Sequence, residues 1–452
     1  MSATLTPRPV EVAAPAPLLP GYRFELAKLV SQWRVRILLL ACWMAPAAFV
    51  AVVSRQSSLP ADTVFGRWMG TTGWAGSLVV LGFACSWVLP LVTSLVAGDV
   101  FATEDRLGTW RHLLVAVRSP RRIFVAKALA SLTVVLVVLV GLAASGMVGG
   151  LVAVGDHPLP GLDGHLLAPG DAARTVLLAW LCVVAPTLAF AAVGLLGSVV
   201  LGRSPMGLLL PAVVALAMDL VLVLPVPVAV RLALPSGTFL AWRGLFTDPG
   251  ETGPLVVGVA VSLGWAAVCT GLAYLLFLRR DFTDLAYDGA GRRAVLTVAV
   301  PLAALLALTT AVTAATTSAT GVTKGKLEHS LATSFAHLYR LQTRELGRPA
   351  VTEEQLASTA SCDKGGSRVA AHGPDDHGPG NDWRCVVSWH LPGATAVGSA
   401  TYQLDATADG RYVADGDGPK EVNGFFQVRS ARGDAPNPLW QFDGIVDLLS
   451  RS

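Results

Sequence analysis

Seven stretches of this 452-residue chain are each about 20 residues or longer and almost free of charge, at about 35–53, 75–98, 128–154, 174–201, 206–230, 255–278 and 294–314. A helix rises about 1.5 Å per residue, so about 20 apolar residues cross about 30 Å of hydrocarbon. A repeated pattern of that length predicts an all-α polytopic membrane protein of about seven spans. Only 14% of residues are charged, against about 25% in soluble domains. A net charge of +3 with dispersed basic residues gives no patch for nucleic acid.

Around these spans the chain changes character. Residues 1–20 are Pro/Ala-rich and read as a disordered tail without a cleavable signal peptide. Residues 21–34 predict an interfacial helix with Phe24, Leu26, Ala27, Val30 and Trp33 on a loosely apolar side. Arg23, Lys28 and Arg34 would rest at lipid headgroups. Ser204 and Pro205 predict a tight helical turn between the fourth and fifth spans, and Pro225 and Pro227 predict a break near the outer end of the fifth.

Lysine and arginine placement orients the chain. With the N-terminus inside, inner segments hold sixteen such residues and outer loops five. Seven spans then leave residues 323–452 outside. That region has a different chemistry. Leu327, Leu331, Phe335, Leu338 and Leu341 fall at helical spacing, and Thr352 to Gln355 reads as a capping box. "WRCVVSWHL" and "SATYQLDATADGRYVADG" read as strands, the second a hairpin turning at 408–410, and "LWQFDGIVDLLS" as a short helix or strand. A small α+β extracytoplasmic domain is expected. Its two cysteines, Cys362 and Cys385, would form a disulfide in that compartment, whereas Cys42, Cys85, Cys182 and Cys269 lie in apolar runs as small hydrophobes.

One inner loop carries more chemistry than orientation requires. "GDVFATEDRLGTWRHLL" spans Gly98 to Leu114. Leu107, Trp110, Leu113 and Leu114 fall on one side of a helix, and Ser119-Pro120 would cap and open the next one. The positive-inside rule accounts for Arg118, Arg121, Arg122 and Lys127. It does not account for Asp99, Glu104 and Asp105 near the membrane, nor for Gly108 and Thr109 within a helix, where glycine costs about 1 kcal/mol relative to alanine. A partner docking closely over the glycine would justify it.

An acid followed by "E-x-x-x-G-T-W", leucines and a basic entry into the third span resembles the loop between spans two and three of exporter-type ABC transporter permeases. The helix before the first span and the short segment "LPSGTFLAWRGLF" are similar to that family as well, so the resemblance covers roughly residues 20–280. It implies a permease domain at 35–280 whose coupling loop, 99–127, sits in a cleft of a separate cytoplasmic ATPase. Glu104, Arg106, Gly108, Thr109, Trp110 and Arg111 would lie at that contact, with Glu104 the leading charged contact. ATP and Mg would belong to the partner, consistent with the absence of G-x-x-x-x-G-K-[ST] here. A homodimer or a second permease, and a bacterial plasma membrane, are also implied. The seventh span and the outer domain depart from the six-span pattern and leave the substrate unassigned.

Other residues compete for a role. Asp219 lies within an apolar run, where a lone carboxylate costs about 2.5–3.5 kcal/mol, and is a candidate for the translocation path. Asp156, His157, Asp163 and His165 in one outer loop, and His372, Asp375, Asp376 and His377 in another, are metal-ligand types. Their Gly/Pro-rich settings read as solvated loops, and no metal is expected. An alternative function is a membrane-anchored receptor with a ligand-binding outer domain. A membrane enzyme using Asp156, His157 or His165 is a third reading. The "ATEDRLGTW" segment favours the permease.

Overall fold

The computed structural model describes residues 17–56, 64–202, 206–224, 226–280, 282, 291–316, 322–364, 382–407, 410–416, 427–430 and 433–449. The expected tail before residue 17, the turn at 203–205, Pro225, and the His/Asp loop at 371–379 lie outside these.

The N-terminal region is two helices, α1 (Leu18–Ser31) and α2 (Trp33–Val53), broken where Gln32 turns extended. The expected 21–34 helix is therefore split, and Trp33 belongs to the span. Phe24 and Trp33 stay exposed, while Glu25 and Leu29 are buried. After the short α3 (Val64–Met69), the second span is composite: α4 (Gly73–Phe83), a π-helical turn at Ala84–Val88, and α5 (Leu89–Val96). Pro90 follows that turn and has no N–H to give a regular ladder, which is where π-turns arise.

Two short helices, α6 (Ala102–Leu107) and α7 (Trp110–Val117), lead into α8 (Pro120–Ala153). Ser119 holds the N-cap position of α8, although its side chain makes no capping bond. At 34 residues, α8 is about 51 Å long and separates the loop at its start from the hairpin at its end, β1 (Leu159–Pro160) and β2 (Leu166–Leu167). Gly146 and Gly150 seat α8 against α4: a Cβ on Gly150 would lie 2.0 Å from Gly73 O, and one on Gly146 3.2 Å from Ser77 Cα. Small residues permit this backbone approach where lipid offers no hydrophobic drive.

The bundle continues with α9 (Pro169–Cys182), α10 (Val184–Leu201), α11 (Met206–Val223), α12 (Val228–Leu232), α13 (Pro235–Ala241), a 3₁₀ turn at Trp242–Phe246, α14 (Gly253–Leu278) and α15 (Gly291–Thr316). Among the described residues six helical segments are long and apolar enough to span a membrane, and Gly207–Leu222 is a shorter apolar helix. The fifth stretch thus departs from its expected 206–230 extent. Its helix ends at Val223 and resumes at Val228, behind Pro227. Arg231 donates to the carbonyls of Leu224 (2.6 Å) and Val226 (3.2 Å), satisfying groups the break releases. On α15, the Thr313 hydroxyl donates to Ala229 O at 2.6 Å and fastens that helix to α12.

The C-terminal domain is α+β. Helices α16 (Lys324–Glu345) and α17 (Glu353–Leu356) precede an antiparallel sheet of β3 (Thr359–Lys364), β4 (Asp382–His390), β5 (Val397–Ala406), β6 (Arg411–Gly416) and β9 (Gln441–Ile445), in the order β3-β4-β5-β6-β9. A hairpin of β7 (Gln427–Ser430) and β8 (Gly433–Pro436) lies beside it in sequence. The Thr352–Gln355 capping box forms. Leu327, Leu331 and Phe335 are fully buried and Leu341 partly so; Phe335 meets Trp389 at 4.8 Å between ring centroids.

Cys362 and Cys385 are register partners on β3 and β4 and form the disulfide. It closes a 23-residue separation worth about 3 kcal/mol in chain entropy. The double change Cys362→Ala, Cys385→Ala is expected to destabilise the C-terminal domain by about that amount, measurable as earlier protease cleavage of this domain in denaturant.

Candidate functional site

Four acids and five bases close the end of the bundle around residues 99–127. Asp99, Glu104 and Asp105 are 1%, 1% and 4% exposed, and Glu25 is 5% exposed. Buried charges are tolerated when paired, and each of these is. Lys127, 1% exposed, donates to Glu25 Oε2 (2.8 Å) and Glu104 Oε1 (2.7 Å). Glu104 also accepts from Lys28 and from the Thr109 hydroxyl. Asp99 accepts from Arg34, Arg106 and the Thr103 hydroxyl. Asp105 receives a two-pronged contact from Arg280, at the end of α14, and a 2.6 Å bond from Trp110 Nε1. The network ties α1, α2, α8 and α14 to the loop.

This corrects three expectations. Lys28 and Arg34 are engaged by loop carboxylates rather than left for headgroups. Glu104 is inside the chain and does not face outward, because two ammonium groups and a hydroxyl surround it. Trp110 is 6% exposed and packs with Phe101, Phe277 and Phe282 at 5.4–6.4 Å between centroids. The Arg280 guanidinium lies 5.5 Å from the Trp110 ring and Lys127 5.9 Å from it.

Burial pushes the Glu104 carboxyl up, but Lys127 beside it and the bonds from Lys127, Lys28 and Thr109 outweigh that and hold it near about 2, against an ordinary 4.5. A depressed carboxylate stabilises fully above its ordinary value and loses that contribution as pH falls through its folded one. Thermal stability is expected to drop below about pH 4.5. Glu104→Gln should flatten that drop when Tm is followed from neutral pH to about pH 3.

Gly108 is not within a helix. It terminates α6 in the left-handed region at φ 66°, and a Cβ there would meet no atom within 4 Å. The glycine is required by backbone conformation rather than by close approach. Gly108→Val is therefore expected to cost about 1–2 kcal/mol, and Gly108→Asn, which tolerates this region, much less. Thermal unfolding of both variants measures the difference. The start of α6 is fixed by Ser198, whose Oγ accepts from the N–H groups of Phe101 (3.0 Å) and Ala102 (2.9 Å).

With the acids turned inward, the loop presents Arg106, Leu107, Gly108, Arg111, His112 and Val115 outward. Leu107 is 64% and Val115 73% exposed. Leu107 thus leaves the expected apolar side, while Leu113 and Leu114 pack partly inward. The pairing bases Lys28, Arg34, Lys127 and Arg280, together with Glu25, were not anticipated as parts of the site. The available signal was Lys127 within the apolar start of α8, since an ionisable residue there needs a partner.

The other candidates have local partners. Asp219 accepts from the Ser236 hydroxyl and ties α11 to α13. Asp156 accepts from Trp74 Nε1 at 2.8 Å, and His157 O from the Thr72 hydroxyl at 2.7 Å. No group of three or more metal-ligand side chains is arranged for a metal among the described residues.

Comparison with curated proteins finds no match for this chain. A protein-family comparison does: residues 23–167, from α1 through the charge-locked loop and α8 to the hairpin beyond, match the model described as ABC-2 family transporter protein.

Proposed function

We propose that the chain is the transmembrane permease subunit of an ATP-driven ABC exporter. The observation that carries this reading is the loop at 99–127. Its acids are consumed in a network that grips α1, α2, α8 and α14, so a push on its exposed side is delivered to several spans as one body. Arg106, Gly108 and Arg111 lie on the docking face. Glu104, Thr109 and Trp110 act one layer deeper, as the transmitting part of the same contact. Hydrolysis of ATP, with Mg, belongs to a separate cytoplasmic ATPase, and this chain itself is a transport subunit rather than an enzyme.

In this reading the N-terminus and the loop are cytoplasmic, and the C-terminal domain is on the opposite side of the plasma membrane. Substrate moves across or out of the bilayer between two permease subunits, either two copies of this chain or this chain and another. Asp219 contributes to the lining of that path. Purification of the tagged chain in mild detergent, with identification of co-purifying proteins, tests the reading. A nucleotide-binding ATPase is expected. A signalling protein in its place would support the receptor alternative.

A further inference from the structure

Charges from both domains converge where the C-terminal domain meets the hairpin end of the bundle. His337 on α16 is 5% exposed. Its Nδ1 lies 3.3 Å from Asp163 Oδ2 and its Nε2 3.4 Å from Glu353 Oε2. Asp163, 3% exposed, belongs to the loop between β1 and β2; it also contacts His165 and accepts from the Asp248 N–H at 2.7 Å. Arg340 pairs with Glu353. Glu251, just before α14, faces Asp163, Asp447 and Lys326. One Glu251 oxygen and the Lys326 ammonium are buried without a hydrogen-bond partner. The Tyr412 hydroxyl on β6 lies 3.1 Å from Ser330 Oγ and 3.3 Å from Ser334 Oγ, within the field of Asp163 and Glu251. The packing is close: a Cβ on Gly164 would lie 2.5 Å from Leu338 Cδ2, and one on Gly253 2.7 Å from Leu449 Cδ1.

Asp163, Asp248, Glu251, Glu353 and Asp447 thus share this region with two basic side chains, Lys326 and Arg340, and the two histidines. With both histidines neutral, acids outnumber bases in the cluster, and its central members Asp163 and His337 are buried. Each proton bound reduces that excess. We propose that this cluster is a proton-operated clasp, in which the C-terminal domain stays docked on the bundle while His337 and Glu251 are protonated and loosens as they deprotonate.

Linkage gives both groups the same sign. Burial pushes the Glu251 carboxyl up, and Asp447 and Asp163 push it further against the pull of Lys326, to about 8 from an ordinary 4.5. Burial lowers His337, but Asp163, Glu353 and Asp248 raise it more, to above its ordinary 6.5. A group raised in the docked state contributes fully below its ordinary value and loses that contribution as pH rises through the raised one. Docking thus weakens from about pH 4.5 to about pH 8 for Glu251, and above 6.5 for His337. Asp163, held well below the carboxylate range after its two histidines and the Asp248 N–H overcome burial, opposes this only in strong acid.

The test is a distance measurement on the full chain in lipid nanodiscs, with spin labels on non-natural side chains at the exposed positions 170 and 399. One narrow distribution is expected at about pH 5.5, and a shift of about half the population or more to longer, broader distances at about pH 9. Glu251→Gln should reduce the high-pH shift to the part that His337 contributes. His337→Gln should raise the loosened fraction about twofold at pH near 6. Retention of the Cys362–Cys385 disulfide reports an intact domain in each variant. A wild-type distribution unchanged with pH, or the same shift persisting in the Glu251→Gln, His337→Gln double variant, overturns the proposal. The readout requires no ATPase, so its failure is distinct from failure of the exporter reading.

Discussion

Lys127→Met is expected to lower the stability of the membrane region by about 3–5 kcal/mol, the range for removing one partner of a buried ion pair. Lys127 is 1% exposed and is shared by Glu25 and Glu104. Methionine fills much of the same space, so the loss is electrostatic rather than a cavity. It leaves Glu25 without the lysine and Glu104 with Lys28 and Thr109. The triple variant Lys127→Met, Glu25→Gln, Glu104→Gln should recover a large part of the loss, because no carboxylate is then stranded. Thermal unfolding of the purified chain, with a double-mutant cycle between positions 25 and 127, separates these terms. An unchanged Tm for Lys127→Met would mean that water reaches the network.

The second large effect is on association. Arg111→Glu and Val115→Asp alter exposed side chains and leave the internal network intact. Each is expected to weaken binding of the ATPase by about 30-fold or more, corresponding to about 2 kcal/mol for a central interface residue. Folding should be unaffected, since neither side chain is buried. Titration of detergent-solubilised chain with the ATPase expected to co-purify gives the affinity, and Tm supplies the control. The contrast with Lys127→Met is diagnostic: one class of change costs stability and the other costs docking.

Much of the architecture was legible because lipid imposes long apolar runs, and because the capping box, the α16 leucine spacing and the paired cysteines are local signals. The fifth stretch was legible as apolar composition with prolines that predict a break near its outer end. Its end at Val223 and its resumption at Val228 follow from proline chemistry and from Arg231 reaching back to the freed carbonyls. Within the loop, the unusual acids were visible, but their direction was not. Side-chain spacing cannot tell an outward carboxylate from one met by Lys28, Arg34, Lys127 or Arg280, residues 23 to 175 positions away in the chain. Gly108 illustrates the same limit, since a helix interior and a left-handed terminus share one residue type.

The most direct measurement is photo-crosslinking from position 115 in the intact membrane. A photoreactive side chain replacing Val115, 73% exposed on α7, samples whatever lies against the loop. The predicted product is a covalent adduct with a nucleotide-binding ATPase, diminished by Arg111→Glu on the same chain. Adducts to lipid alone, with the chain folded and the ATPase present, would contradict the docking face and with it the exporter reading.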